Sequence, residues 1–238
     1  MKEKAHTHKF EREGNYYVCS CGEKRLAFEN QKGMRKNGKP YTKKADKNRF
    51  FFPKEYTKLE DNLKPKAKHS IKFLLNTGAR VTEARKAQVQ DFVFNPQGRS
   101  RLILRHTKTK AKKGEFEVGR TRDVPLSRNF AKYLSKYIKE NKLRPESTFN
   151  LWTPAGINKV LKKTAMQINL SHPEDFSCHS LRKTLEVWLM ALDVADMKII
   201  AHIGHDLRTA ASHYVSPDIF SWEDKRLIRA IIGDLYEK

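Results

Sequence analysis

Cysteine is scarce in this 238-residue chain, which has only Cys19, Cys21 and Cys178. Three thiols cannot write a paired disulfide framework, and so few suit a reducing interior, which makes the cytoplasm the expected compartment. Long apolar runs are missing as well. Nothing approaches the roughly 18 consecutive apolar residues that a spanning helix needs, and Met1 is followed by charge and histidine in place of an apolar signal core. A soluble, unsecreted protein with no membrane partner is expected. Negative charge is the third shortage: 27 Asp and Glu face 49 Lys and Arg, a formal net charge of +22. A surface this positive favours a polyanion as partner. No internal repeat is visible either. Yet 38% of the residues are hydrophobic, with 13 Phe, 8 Tyr and 3 Trp, enough to bury a core. The length suits one substantial domain plus an appendage.

The first fifty residues hold fourteen Lys and Arg, six acids and few aliphatic side chains, and cannot make a conventional core. The pattern changes at Phe50, Phe51 and Phe52, a triplet read as stopped by Pro53. Leu59, Leu63, Ala67, Ile71, Leu74 and Leu75 then recur at spacings of three and four, predicting a helix that begins in earnest after Pro65 and is ended by Gly78. A short helix is expected from Thr82. Residues 101–107, 115–118 and 123–126 alternate as strands do, predicting a small three-stranded sheet with basic tips. From Ser127 the period is helical. One face carries Phe130, Leu134, Tyr137 and Ile138, and a second Ile157, Val160, Leu161 and Ile168. A third carries Leu181, Leu185, Trp188, Leu189 and Leu192, and a fourth Leu227, Ile228, Ile231, Ile232 and Leu235. The expected fold is mainly α with a small antiparallel β-sheet, divided into a basic N-terminal arm (1–49) and a larger domain (50–238).

Five polar features stand out: Thr77-Gly78-Ala79-Arg80-Val81-Thr82-Glu83, the Lys-rich hairpin with Thr107-Lys108-Thr109, His179-Ser180-Leu181-Arg182, Gly204-His205, and Tyr214 nine residues further on. Each is weak alone, since an arginine after a glycine turn is usually a solvated loop residue. In this order, and with the strand end Arg122-Asp123-Val124-Pro125-Leu126, they resemble the catalytic domain of the tyrosine recombinases, the phage-integrase family, whose chemistry is shared with type IB topoisomerases. The resemblance runs from about Phe50 to Tyr214. It implies that Arg80 and Arg182 bind phosphate, that Lys108 is the hairpin lysine, that His179 and His205 are the family's two histidines, and that Tyr214 is the nucleophile.

The residue types suit that chemistry. A phosphodiester resists attack until its non-bridging oxygens are neutralised, a task for planar, permanently charged guanidinium groups such as Arg80 and Arg182. A tyrosine hydroxyl, with a pKa near 10, needs a base or a cationic pocket, which His179 supplies. The departing 5′ oxygen needs a proton, and Lys108 is the candidate acid. His205 adds a donor to the transition state. Catalysis then requires no metal or nucleotide. Lys110, Lys112, Lys113 and Arg122 are expected to position DNA phosphates, Glu83 to buttress the Arg80 segment, His202 and His213 to serve packing or surface roles, and Cys178 to be a small buried side chain.

Members of this family commonly carry a helical core-binding domain first, and residues 1–49 are too short and too poor in apolar periodicity to be one. In its place His6, His8, Cys19 and Cys21 bracket Tyr16-Tyr17-Val18, either as a structural zinc hairpin or as a basic arm whose histidines and cysteines bind nothing. In either form Lys36, Lys39, Lys43 and Lys44 are expected along phosphates. A last amphipathic helix over residues 222–236 is expected to pack on a neighbouring protomer or on its own domain. The reading implied is a recombinase or integrase that acts on double-stranded DNA as several copies, on the nucleoid or in a host cytoplasm if its source is viral. Topoisomerase-like relaxation, a transposase or resolvase of the same superfamily, and a non-catalytic DNA-binding accessory protein are the alternatives.

Overall fold

The computed structural model describes residues 10–13, 16–20, 24–26, 32–34, 40–42, 49–105, 121–204 and 219–236. The chain forms two compact units, Met1–Lys47 and Asn48–Lys238. In the first, β1 (Phe10–Glu13), β2 (Tyr16–Cys19) and β3 (Lys24–Leu26) form an antiparallel sheet in that order, with Phe10 opposite Cys19 and Tyr16 opposite Leu26. A separate hairpin pairs β4 (Lys32–Met34) with β5 (Pro40–Thr42). His6, His8 and Cys21, and Lys36, Lys39, Lys43 and Lys44, lie outside the described residues.

The second unit is mainly helical with one three-stranded antiparallel sheet. Its first helix, α1 (Pro53–Asp61), begins at the residue read from sequence as a stop. Proline ends helices from the interior, but at the first helical position its missing N–H has no partner to lose and its φ is preset. The Phe triplet before it is an anchor. Phe51 stacks on Phe176 at 4.1 Å, its N–H donates to Thr184 Oγ1 at 2.9 Å, and its carbonyl accepts from Trp188 Nε1 at 3.0 Å. These bonds satisfy a buried backbone where no ladder does.

Helix α2 (Pro65–Thr77) also opens on proline, and ends where Gly78 turns left-handed at φ +57°. Helix α3 (Val81–Lys86) follows at once. The sheet runs β6 (Phe92–Val93), β7 (Ser100–Arg105), β8 (Thr121–Leu126), with Leu102 opposite Val124 and Leu104 opposite Arg122. β7 and β8 fall where alternation placed them. The third described strand is β6, and the expected 115–118 lies outside the described residues.

Four helices complete the layers around the core: α4 (Arg128–Glu140), α5 (Pro154–Gln167), α6 (Cys178–Ala191) and α7 (Asp196–Ile203). Ser127 and Thr153 cap α4 and α5 by accepting N–H bonds from Phe130 and Gly156, the usual use of a hydroxyl at that position. Helix α6 is central: Leu181, Leu185, Trp188 and Leu189 are buried, and α2 packs along it. Helix α8 (Trp222–Ile232) buries Ile228 and Ile232 against α1 and α6 of its own chain. It stops four residues short of the expected end, because Gly233 leaves the helix at φ +68°. Leu235 and Tyr236 then fold back, with the Tyr236 hydroxyl 3.0 Å from His202 Nδ1. The apolar face of α8 is thus spent on its own domain. No described helix is long and apolar enough to cross a membrane.

Candidate active site

The site is assembled where three chain segments end. α2 stops at Thr77, whose hydroxyl donates back to the Phe73 carbonyl at 2.8 Å and accepts from the Ala79 N–H at 3.3 Å. Gly78 supplies the left-handed turn, and a Cβ there would lie 2.7 Å from Ile203 Cδ1 and 3.0 Å from Leu185 Cδ2, so that those buried side-chain ends would have to shift. The turn delivers Arg80 in extended conformation to the start of α3. Glu83, buried one turn later, accepts the Arg80 N–H at 3.2 Å and Arg80 Nη1 at 2.8 Å. It buttresses the segment, as its position suggested. The Arg80 side chain stays 26% exposed, so this guanidinium is fixed at its base and open to a ligand.

Arg182 arrives from α6. Its first turn is fastened from both sides: Ser177 Oγ accepts the His179 N–H at 3.2 Å, and Asn158 Oδ1 of α5 accepts the Cys178 N–H at 2.7 Å. His179 is exposed and Cys178 half-buried. The three-residue spacing from His179 puts Arg182 on the same helix face. Arg182 is 5% exposed, and its Nη1 donates to the Gly78 carbonyl at 2.6 Å. Its pKa falls to about 9 because burial penalises the charge and Arg80 and Arg122 repel it, with Glu83 and Glu186 opposing. It therefore stays protonated at neutral pH.

Arg122 sits elsewhere than sequence reading put it. In place of a surface phosphate contact it is a buried group, 8% exposed, on the inward face of β8 with Val124 and Leu126. The reason is register: alternation in β8 places residues 122, 124 and 126 on one face, and that face is the core. Its Nη2 donates to Glu83 Oε2 at 3.1 Å and its Nη1 to the His202 carbonyl. Burial raises the Glu83 carboxyl, but the Arg80 hydrogen bond and the Arg122 charge outweigh it, and the group lies below its ordinary range. His202, also buried, packs between Gly78 and Tyr236 and is neutral, its pKa pushed down to about 3 by burial and by Arg122 and Arg182. The packing role of His202 was among the sequence expectations, whereas the burial of Arg122 was not, although the phase of β8 was a usable signal for it.

Three guanidinium groups therefore converge around one shared carboxylate, Glu83, with Glu186 a second near Arg182. Positive charge remains in excess in a partly dry setting, which is what a bound oxyanion needs. Lys108, His205 and Tyr214 lie outside the described residues, as do Lys110, Lys112, Lys113 and His213. Among the described residues, His172, Glu174 and Asp175 bring three possible metal-ligand atoms together, in the turn that precedes α6.

The phage integrase family model matches residues 49–219. Among solved structures, the XerH site-specific recombinase bound to its difH substrate superposes with a TM-score of 0.52 at 16% identity, over 76% of this chain and 55% of that one. XerA recombinase gives 0.53 at 16% identity, over 76% and 64%. The Tn1549 transposon integrase in complex with circular intermediate DNA gives 0.54 at 17%, over 77% and 64%. The chain thus spans little more than half the length of the XerH chain it matches. At such identities these likenesses speak for the fold, the tyrosine recombinase catalytic fold expected from sequence. No curated protein matches the chain by sequence. The match over 49–219 takes in both the Gly78–Arg80 turn and the Arg182 helix, and the chain belongs to the phage integrase family.

Proposed function

We propose that the protein cuts and rejoins strands of double-stranded DNA through a covalent 3′-phosphotyrosine, as a site-specific recombinase or integrase with Tyr214 as nucleophile. The observation that carries this reading is the bond from Arg182 to the Gly78 carbonyl, which holds two guanidinium groups from distant helices beside one another. In the proposed cycle His179 accepts the Tyr214 proton, and the phenolate oxygen attacks phosphorus. The bond formed is phosphorus to Tyr214 oxygen, and the bond broken is phosphorus to the 5′ oxygen, which takes a proton from Lys108. Arg80, Arg182 and His205 hold the non-bridging oxygens as they gather charge. Attack by a 5′ hydroxyl reverses each step, so the phosphotyrosine conserves the bond energy and catalysis consumes no nucleotide.

DNA as partner is supported by the net charge of +22 and by relatives of the same fold described as complexes with DNA. Recombination further implies several copies meeting on DNA. The N-terminal unit is proposed to lie along phosphates and to hold a structural zinc through His6, His8, Cys19 and Cys21. Supporting the zinc, the antiparallel pairing of Phe10 with Cys19 brings the strand that follows His8 and the strand that leads to Cys21 together at one end of the β1–β2 hairpin. Native mass spectrometry should find one zinc per chain; metal-free protein would retire that site.

Trapping on a nicked suicide substrate tests the enzyme reading. The unsubstituted protein should form a DNA-linked adduct that Tyr214→Phe loses while still binding DNA. An adduct surviving in Tyr214→Phe would move the nucleophile elsewhere.

A further inference from the structure

Arg122 has no part in the cycle above, yet it is the side chain on which the site's segments meet. A buried guanidinium is costly unless its charge and its N–H groups are answered. Here two of its three nitrogens are answered, from two directions, while Nε is buried without a hydrogen-bond partner among the described residues. Glu83 of α3 takes Nη2 at 3.1 Å, and the His202 carbonyl in the last turn of α7 takes Nη1. Gly204, which ends α7 at φ +71°, lies against the same side chain: a Cβ there would sit 3.1 Å from Arg122 Cδ and 3.2 Å from Nε. The absent side chain is what lets the end of α7 rest on the arginine. Glu83 in turn uses its other oxygen to hold Arg80 Nη1 at 2.8 Å. One planar group therefore joins β8, the first turn of α3 and the end of α7, from which the chain passes directly to His205.

We propose that Arg122 is a positioning residue for strand cleavage: through Glu83 it fixes the Arg80 guanidinium, and through the His202 carbonyl it fixes the end of α7, keeping α3 and α7 at one spacing. The inference rests on the recombinase reading above. It requires arginine in particular, because a rigid fork reaches two acceptors in different directions, whereas a lysine ammonium on a flexible stem satisfies one. Arg122→Lys keeps the buried charge opposite Glu83 and removes the bridge, which makes it the informative variant.

The experiment measures single-turnover cleavage of a suicide substrate at saturating protein, with DNA affinity and thermal unfolding measured alongside. Arg122→Lys should fold and bind DNA within about twofold of the unsubstituted protein, while cleavage slows by about 10- to 100-fold, the usual penalty for displaced catalytic geometry. Because Arg122 acts through Arg80, its effect should shrink in an Arg80→Lys background, a non-additivity that loss of general stability does not produce. Cleavage within about twofold of normal overturns the inference whatever the stability. So does failure of Arg122→Lys to fold, since Arg122 is then a folding brace. If the unsubstituted protein itself forms no adduct, it is the recombinase reading that falls.

Discussion

Arg182 Nη1 meets the carbonyl oxygen of Gly78 at 2.6 Å, across 104 residues of sequence. The carbonyl is free to accept because it lies at a helix end, where backbone acceptors have no intrahelical partner. Arg80 and Arg182, the two arginines proposed to hold phosphate, thus share a single reference point: one bonds to the turn, and the other follows it by two residues.

Gly78→Ala tests that reference point. A non-glycine residue at φ +57° costs about 1–2 kcal/mol from the backbone alone. The new Cβ also meets Ile203 Cδ1 at 2.7 Å. Unfolding should shift down by at least about 2–4 °C, the usual response to 1 kcal/mol in a chain of this size. Suicide-substrate cleavage should fall further than DNA binding does, because Arg80 moves with the turn. An unchanged melting temperature in calorimetry would mean that the left-handed turn is not enforced.

The same turn shows what sequence patterns carry. α2 and α3 were legible because Pro65 and Gly78 punctuate them, and α4, α5 and α6 because their apolar stripes are long. α1 was missed because Pro53 fits both a stop and a first helical position, and only the packing of Phe51 on α6 decides between them. α7 is eight residues long with an exposed Met197, and β6 is two residues long, both too short for a period to emerge. In the candidate site, motif pointed to Arg80 and Arg182, which the fold brings to the Gly78 turn, and one-turn spacing pointed to Glu83. Arg122 was read as a surface group, although the phase of its strand sets it on the inward face with Val124 and Leu126.

Acid should destabilise the protein in a window set by two histidines. His69 Nε2 faces the Phe149 carbonyl at 3.0 Å and so carries the proton, while Nδ1 accepts from the Tyr133 hydroxyl at 2.8 Å. Burial pushes its pKa down to about 4 and that of His202 to about 3, against about 6.5 when unfolded. Below pH 6.5 the unfolded chain therefore binds more protons, and stability falls as pH falls towards the folded values. For His69 the loss reaches roughly 3 kcal/mol once the pH is below 4. Glu83, held below the ordinary carboxylate range by Arg80 and Arg122, adds its own loss in acid. Melting temperatures from pH 7 to 4 should drop less steeply in His69→Gln. Parallel curves would place the acid lability elsewhere.

DNA binding should weaken steeply with salt, log K falling against log[salt] with a slope of roughly −0.9 per phosphate neutralised. The slope also separates buried from surface cations. Alanine at any one of Lys36, Lys39, Lys43 and Lys44 that touches phosphate should reduce it by about one, whereas Arg122→Lys should leave it unchanged because that group is 8% exposed. Titration by fluorescence anisotropy at several salt concentrations measures both. A flat profile would be incompatible with a +22 chain held by phosphates.

The sharpest test concerns the hairpin lysine. Lys108 and Lys110 are two residues apart, and on a strand that spacing points both to one face, so spacing cannot choose between them. Lys108 matches the Thr-Lys-Thr position of the family and lies nearer β7, whose pairing with β8 reaches Arg105 opposite Thr121. If Lys108 protonates the leaving oxygen, Lys108→Ala should slow cleavage of ordinary DNA by about 10²–10⁴-fold. Replacing the bridging 5′ oxygen with sulfur, a leaving group that needs no acid, should restore most of that loss without restoring anything to Arg80→Ala, whose defect is in charge neutralisation. Rescue of Lys110→Ala instead would transfer the role to its neighbour, and rescue of neither would put the acid outside the hairpin.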